Sequence, residues 1–216
     1  MVPSLCRSII NSISNFIREE GFGVDVMRKK GLCWVLSRYV FEFDSRPSLY
    51  TPFKISVWDG YAGNVSLTRC VRIKDNAGKE IGRGVSEWCV IDSKSRSLIR
   101  PADILIGKKG EEPPCRRPDR IGTVKIDTSE TRMMRFSDCD FNGHVNNIRY
   151  VEMLYDLLPE FQKTSAAPLR LSAHFLKEAH LGESLNLGLG KAEDGYDFVV
   201  ARPGSTICTL ALRSML

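Results

Sequence analysis

Each half of this sequence contains one amphipathic helical stretch and a series of strand-like runs. In residues 4–18 the apolar side chains recur at helical spacing, and they do so again in residues 148–158, up to Pro159. Such a helix buries its apolar face only against another layer, and the short connections between successive runs favour antiparallel pairing. The sequence therefore predicts an α+β fold made of two successive units, each a long helix packed on a curved antiparallel sheet.

The strand-like runs are bounded by residues that favour turns. They span residues 32–43, 52–58, 65–74 and 80–91 in the first half, and 169–177, 184–189, 198–202 and 207–213 in the second. The Asp-Asn-Ala-Gly segment at 75–78 predicts a short hairpin turn. The second half has a further strand within 122–136, before its helix. The first half begins directly with its helix, so its sheet is predicted to lack one strand.

The composition changes between the two halves. Residues 105–120 are rich in proline and charge, which is typical of a linker. This predicts an N-terminal domain at 1–104, a linker at 105–120 and a C-terminal domain at 121–216. A shorter polar stretch, the basic segment at 28–31, is predicted to be a loop.

The overall composition narrows the class of protein. With 216 residues, 43% of them apolar, the chain can bury a core without disulfides. Its seven cysteines are odd in number and form no CxxC pair, which indicates reduced thiols and a cytoplasmic protein. The net charge of +5 is spread along the chain, which argues against a nucleic-acid-binding face.

The sequence also predicts no membrane insertion. No run approaches the roughly 18 apolar residues of a membrane-spanning helix, and polar residues interrupt the N-terminal apolar positions where a signal peptide would need a continuous core. Glu19 and Glu20 argue against an organelle transit peptide.

The loop at residues 135–150 concentrates reactive side chains between a strand and a helix. Asp140, Asn142 and His144 occupy alternate positions, so in an extended segment they would project from one side. An imidazole transfers protons near neutral pH, and the N-H groups of the following helix could stabilise an oxyanion. Asp, Asn and Gly are equally suited to a helix cap and a tight turn, and a loop histidine is often only a surface residue. Both interpretations remain open on residue types alone.

The order of residues in this loop supplies a longer pattern. Ser-Asp-x-Asp-x-Asn-x-His-Val-Asn-Asn at 137–147, followed by Tyr150, resembles the signature of the acyl-acyl carrier protein (acyl-ACP) thioesterases of bacteria and plant plastids. Residues 31–38 and 86–88 are similar to the first-domain strands of that family. The resemblance implies a tandem, or double, hotdog fold in which the first domain shapes the acyl pocket and the second carries catalysis. It also implies hydrolysis of fatty acyl-ACP to free fatty acid in fatty acid biosynthesis, without a cofactor.

The resemblance assigns the catalytic residues. The family's Asp-x-Asn-x-His run matches Asp140, Asn142 and His144, and its later acidic residue matches Glu178. Plant members often have a cysteine after that glutamate, whereas this chain has Ala179, so a covalent cysteine mechanism has no support at that position. Cys139 would point away from the histidine in an extended segment. We therefore expect direct hydrolysis by water activated by Glu178 or Asp140, together with His144, with Asn142 orienting the thioester carbonyl.

The resemblance leaves several points open. Family members have a strand before the first helix, so either the start of this sequence is misassigned or the first sheet lacks an edge strand. The expected partner is an acidic acyl carrier protein, and a homodimer is favoured over a monomer. A coenzyme A thioesterase and a non-catalytic acyl-binding protein are the alternatives. His174 and His180 are interpreted as structural or surface residues, and no metal motif is present.

Overall fold

The structure is a computed structural model, and it describes residues 2–104 and 110–215. The chain forms two compact units, one of Ser4–Pro118 and one of Asp119–Leu216 with residues 1–3. The predicted linker at 105–120 lies partly outside the described residues. Its remaining segment packs with the N-terminal unit, where the N-H of Glu111 donates to the carbonyl of Asp59 at 3.0 Å.

The N-terminal unit contains two helices and an antiparallel sheet. Four strands pair in the order β2-β3-β4-β1, and β5 pairs with the C-terminal end of β4, beyond the residues of β4 that pair with β3. The elements are α1 (Val2–Glu19), α2 (Val24–Lys29), β1 (Leu32–Phe43), β2 (Phe53–Ala62), β3 (Leu67–Asp75), β4 (Glu80–Asp92) and β5 (Leu98–Ile99). No strand precedes α1 within the described residues.

The periodicity of the first half predicts its main elements. The helix expected at 4–18 is α1, whose apolar face is buried at Leu5, Ile9, Ile13 and Ile17. The predicted turn at 75–78 joins β3 to β4, with Gly78 at a φ of 84°. The prediction of a basic loop at 28–31 is wrong in part, because α2 includes residues 28 and 29. Six residues are too few for helical periodicity to be read from sequence.

The C-terminal unit contains a longer sheet with one main helix. Its strands pair antiparallel in the order β7-β10-β9-β8-β6, and α3 packs against β8 and β10. The elements are β6 (Thr128–Met133), α3 (Asn147–Leu157), α4 (Glu160–Thr164), β7 (Leu169–Phe175), β8 (Ser184–Ala192), β9 (Gly195–Arg202) and β10 (Ser205–Ser214). The strand predicted loosely within 122–136 is the shorter β6. In the described part of the chain, no helix is both long and apolar enough to cross a bilayer.

A buried charge pair lies in the sheet of the N-terminal unit. Arg69 of β3 is 2% exposed, and its Nε lies 3.6 Å from Oδ1 of Asp59 on β2. The guanidinium lies 4.3 Å from the ring centre of Trp34 and 5.6 Å from that of Trp88. Burial lowers the pKa of Arg69 to about 10 and raises the pKa of Asp59. The two aromatic rings and one carboxylate thus surround a charge that has lost its water.

Removing the carboxylate of this pair should destabilise the N-terminal unit. In Asp59→Ala the guanidinium stays buried without its counter-charge, and we expect a loss of about 3–5 kcal/mol in the free energy of unfolding. The double variant Asp59→Ala/Arg69→Met should recover most of that loss, because no buried charge remains. Urea unfolding measures both. The matched control is Asp103→Ala, which breaks the exposed pair Arg100–Asp103 and should cost less than about 1 kcal/mol. Equal costs for the buried and exposed pairs would contradict this interpretation of the buried pair.

Candidate active site

The loop that carries Asp140, Asn142 and His144 is a tight turn. The N-H of Asp140 donates to the carbonyl of His144 at 2.8 Å, and the N-H of Gly143 donates to the carbonyl of Asp140 at 3.0 Å. Gly143 has a φ of 78°, a conformation that glycine adopts without steric cost. The expected extended segment is therefore wrong, and the alternation that placed the three side chains on one side does not hold. The Asn-Gly pair at 142–143 is the turn signal that explains the difference.

The carboxylate of Asp140 holds this turn closed. Its Oδ1 accepts the N-H of Asn142 at 2.8 Å and that of His144 at 3.4 Å. This is an Asx-turn, in which a side chain takes the place of a backbone acceptor. The geometry supports a positioning role for Asp140 and leaves Glu178 as the carboxylate that faces the imidazole.

The loop continues into α3, as the sequence predicts. Asn146 is the N-cap, and its side-chain oxygen accepts the N-H of Ile148 at 2.9 Å. The N-H of Val145 donates to the carbonyl of Ala179, and that of Asn146 donates to the carbonyl of Asp138. These N-H groups already have acceptors within the protein. They are therefore poor candidates for the oxyanion donors that the sequence suggested at this helix start.

A buried carboxylate anchors the start of the loop. Asp138 is 2% exposed, and its Oδ2 accepts the N-H of Arg135 at 2.8 Å while its Oδ1 accepts from Arg132 at 3.2 Å. Arg149 of α3 donates from Nε to the carbonyl of Ser137 at 3.1 Å. The 3-10 turn Phe136–Asp138 is thus tied to both β6 and α3.

A short antiparallel pairing brings the distant Glu178 to this loop. His144 and His180 face each other in an isolated β-bridge, and the N-H of Val145 donates to the carbonyl of Ala179 at 2.8 Å. As a result, Nδ1 of His144 lies 3.7 Å from Oε1 of Glu178. The two side chains are 30% and 37% exposed, so both remain within reach of a substrate. The structure therefore brings together two of the four predicted catalytic residues.

The other two predicted residues lie on the turn itself. Asp140 closes the turn, and Asn142 is exposed at its tip, where its backbone N-H donates to Oδ1 of Asp140. Asn142 is thus placed to meet a ligand that approaches from solvent.

His180 is the residue at this site to which sequence reasoning gave no role. Its ring centre lies 4.9 Å from that of His144, with the rings nearly perpendicular. The spacing Glu-Ala-His at 178–180 is the only local signal, since residues two apart share a face of an extended segment. The partner of this segment lies more than 30 residues away in sequence, and no local pattern predicts that pairing.

The burial and contacts of the cysteines do not support a thiol nucleophile at the His144–Glu178 pair. All seven lie in the described residues and none forms a disulfide. Burial raises the pKa of the thiols of Cys6 and Cys208 and brings that of Cys70 to about 12. The Sγ of Cys139 lies 3.6 Å from the carbonyl oxygen of Arg135, to which it donates. Ala179, at the position where plant members of the resembled family often carry cysteine, is 1% exposed.

Loss of the buried anchor should destabilise the loop. Asp138→Ala removes the acceptor of one backbone N-H and one guanidinium, and we expect the free energy of unfolding to fall by about 1.5–3 kcal/mol. Asn142→Ala, at the exposed tip of the same loop, should change it by less than about 0.5 kcal/mol. Urea unfolding of both variants gives the comparison. A loss for Asn142→Ala as large as that for Asp138→Ala would show that the anchor is not where we place it.

Two family models match the chain. The model of the acyl-ACP thioesterase N-terminal domain matches residues 1–106, and that of the C-terminal domain matches residues 123–202. A curated relative, the chloroplastic oleoyl-acyl carrier protein thioesterase 2 of Arabidopsis thaliana, is 28% identical over an alignment of 167 positions. The alignment covers 68% of this chain and 46% of the relative. The chain spans less than half the length of the curated relatives it matches.

Solved structures have the same architecture. An acyl-ACP thioesterase from Bacteroides thetaiotaomicron superposes with a TM-score of 0.86 and 27% identity, over 99% of this chain and 89% of that one. The 12:0-ACP thioesterase from Umbellularia californica superposes with a TM-score of 0.81 over 99% of this chain and 90% of that one, and at 18% identity it supports the fold alone. The predicted α+β class with two hotdog units is confirmed. The chain belongs to the acyl-ACP thioesterase family.

Proposed function

We propose that this protein hydrolyses the thioester between a fatty acyl chain and acyl carrier protein, releasing free fatty acid. The observation that carries the proposal is the pair formed by His144 and Glu178, whose Nδ1 and Oε1 atoms lie 3.7 Å apart in the C-terminal unit. Membership of the acyl-ACP thioesterase family supports the substrate class. The names of the curated relatives, which cover oleoyl, palmitoyl and dodecanoyl chains, leave the acyl length of this protein's substrate open.

The proposed chemistry is direct attack by water. Glu178 faces Nδ1 of His144, so it can hold the proton on that nitrogen and leave Nε2 to accept a proton from water. The hydroxide oxygen then forms a bond to the thioester carbonyl carbon. When the carbon–sulfur bond breaks, His144 returns the proton to the leaving sulfur. A carboxylate that orients an imidazole base in this way has the role of the acid in a catalytic triad.

Of the two remaining predicted residues, Asn142 would bind the thioester carbonyl and Asp140 would hold the turn. Asn142 carries an amide N-H at the exposed tip of the turn, and we assign it to the thioester carbonyl oxygen. Asp140 holds the turn through two backbone N-H groups and so sets the position of His144. Its part is positioning, and Glu178 is the carboxylate that acts with the imidazole.

The partner and the domain roles are also proposed. Acyl carrier protein is acidic, and the exposed cations at the end of α2, Arg28, Lys29 and Lys30, offer it complementary charge. Two further cations of the chain, Lys108 and Lys109, lie outside the described residues. The acyl pocket is assigned to the N-terminal unit and catalysis to the C-terminal unit. The homodimer and the cytoplasmic location stay predictions, for light scattering and cell fractionation to test.

Substitution of either member of the pair should abolish most turnover. We expect His144→Ala and Glu178→Gln to lower kcat by about 10²–10⁴-fold, since each removes part of one acid-base unit. The measurement is release of free thiol from acyl-ACP and from matching acyl-coenzyme A, over a panel of saturated and unsaturated chains. His174→Ala is the matched control, because it removes a histidine outside the site, and it should keep wild-type activity.

The outcomes separate the proposal from its alternatives. Turnover that prefers acyl-ACP and collapses in both variants supports the proposal. Hydrolysis of coenzyme A esters alone identifies the chain as a coenzyme A thioesterase. Retention of acyl ligands by the folded protein without thiol release identifies a binding protein and overturns catalysis.

Replacement of the nearest cysteine tests the absence of covalent catalysis. Because Cys139 donates to the carbonyl of Arg135 and no acyl-enzyme is proposed, Cys139→Ser should keep kcat within about threefold of wild type, far less than the effect of losing a nucleophile. Steady-state thiol release measures this. A loss comparable to that in His144→Ala, together with an acyl adduct in the intact-protein mass spectrum of the wild type, would overturn direct attack by water.

A further inference from the structure

Three side chains with metal-binding atoms meet at the pairing between residues 144–145 and 178–180. They are His144, Glu178 and His180, and one ligand atom from each lies within 4.8 Å of the others. The rings of the two histidines are 4.9 Å apart between centres. Direct attack by water, with His144 and Glu178 as the reacting pair, gives His180 no part, so the second imidazole needs its own explanation.

The backbone holds these side chains on one face. His144 and His180 are opposite each other in an antiparallel bridge, a relation that places Cβ atoms about 4.5–5.5 Å apart. Glu178 and His180 are two residues apart, and Ala179 between them is 1% exposed and points inward. Glu178 and His180 therefore share the outward face with His144. The hydrogen bond from Val145 to Ala179 fixes this arrangement.

The distances suit a metal ion after small side-chain rotations. Ligands held about 2.0–2.1 Å from zinc in a tetrahedron lie roughly 3.3–3.4 Å from one another. The Nδ1–Oε1 distance between His144 and Glu178 is already 3.7 Å. His180 is exposed, so its imidazole can rotate to close the remaining gap.

We propose that His144, Glu178 and His180 form a binding site for a divalent transition-metal ion, with Zn²⁺ as the best fit. Two imidazole nitrogens and one carboxylate oxygen match the preference of zinc, whereas Mg²⁺ and Ca²⁺ require mostly oxygen ligands. Three protein ligands leave the fourth position open to solvent. Bound zinc occupies both members of the His144–Glu178 pair, so it inhibits hydrolysis. This inhibition rests on the proposed function, while binding itself does not.

The binding test uses the full chain without substrate. Isothermal titration calorimetry with Zn²⁺ should show one binding site in the wild type. The substitution His180→Ala should weaken the affinity for zinc at least about tenfold, since loss of even an outer-shell partner of a metal ligand has an effect of that size. His174→Ala is the matched control, since it removes the one histidine outside the cluster, and it should bind zinc like the wild type. Titration with Co²⁺ should give visible bands without a thiolate-to-cobalt charge-transfer band, because no cysteine is a ligand.

The outcomes keep this inference apart from the proposed function. Loss of zinc affinity in His180→Ala but not in His174→Ala supports the metal site, whether or not the protein hydrolyses thioesters. Equal affinity in the wild type and both histidine variants, or a thiolate band with cobalt, overturns it. Where hydrolysis is observed, Zn²⁺ should inhibit the wild type, and EDTA should restore the activity by removing the metal. Inhibition of His180→Ala should require Zn²⁺ concentrations at least about tenfold higher. Hydrolysis insensitive to zinc at saturation of the site overturns the inhibitory role.

Discussion

One hydrogen bond joins the two segments on which the candidate active site depends. The N-H of Val145 donates to the carbonyl of Ala179, and around this bond the loop of residues 135–146 meets the segment that follows β7. The bond sets the residue opposite His144, and it thereby brings the carboxylate of Glu178 to the imidazole. A shift of one residue in this pairing would turn Glu178 inward and Ala179 outward, because side chains alternate along an extended segment. The proximity of His144 and Glu178 is therefore a consequence of register.

The loop is held by contacts that lie outside the pair formed by His144 and Glu178. Asp138 is buried and accepts from backbone and guanidinium donors, while Asp140 closes the turn with its own side chain. The two carboxylates serve structure, although their residue type alone suggested chemistry for Asp140. A catalytic imidazole needs a fixed position, since small displacements from the reacting geometry cost much of the rate. This explains why the acids of the loop hold its backbone, while the carboxylate that faces His144 is Glu178 of the segment after β7.

Much of the fold follows from local patterns, and much of the site does not. The helical period predicts α1, and the turn residues at 75–78 predict the hairpin between β3 and β4, because these signals lie within a few residues. The prediction of the loop conformation was wrong, because side-chain alternation holds only in an extended segment and the Asn-Gly turn folds this segment back on itself. The proximity of His180 could not be predicted, because pairing across more than 30 residues leaves no periodic trace. Glu178 was found only through the family resemblance.

The claim that His144 and Glu178 act as one unit is tested most directly by a double-mutant cycle on kcat. Single-turnover hydrolysis of acyl-ACP would be measured for the wild type, His144→Ala, Glu178→Gln and the double variant. Groups that act as a unit are non-additive, so we predict that the double variant is no slower than His144→Ala alone. Losses that multiply in the double variant would show that the two side chains act independently, and would contradict a shared acid-base role for the pair.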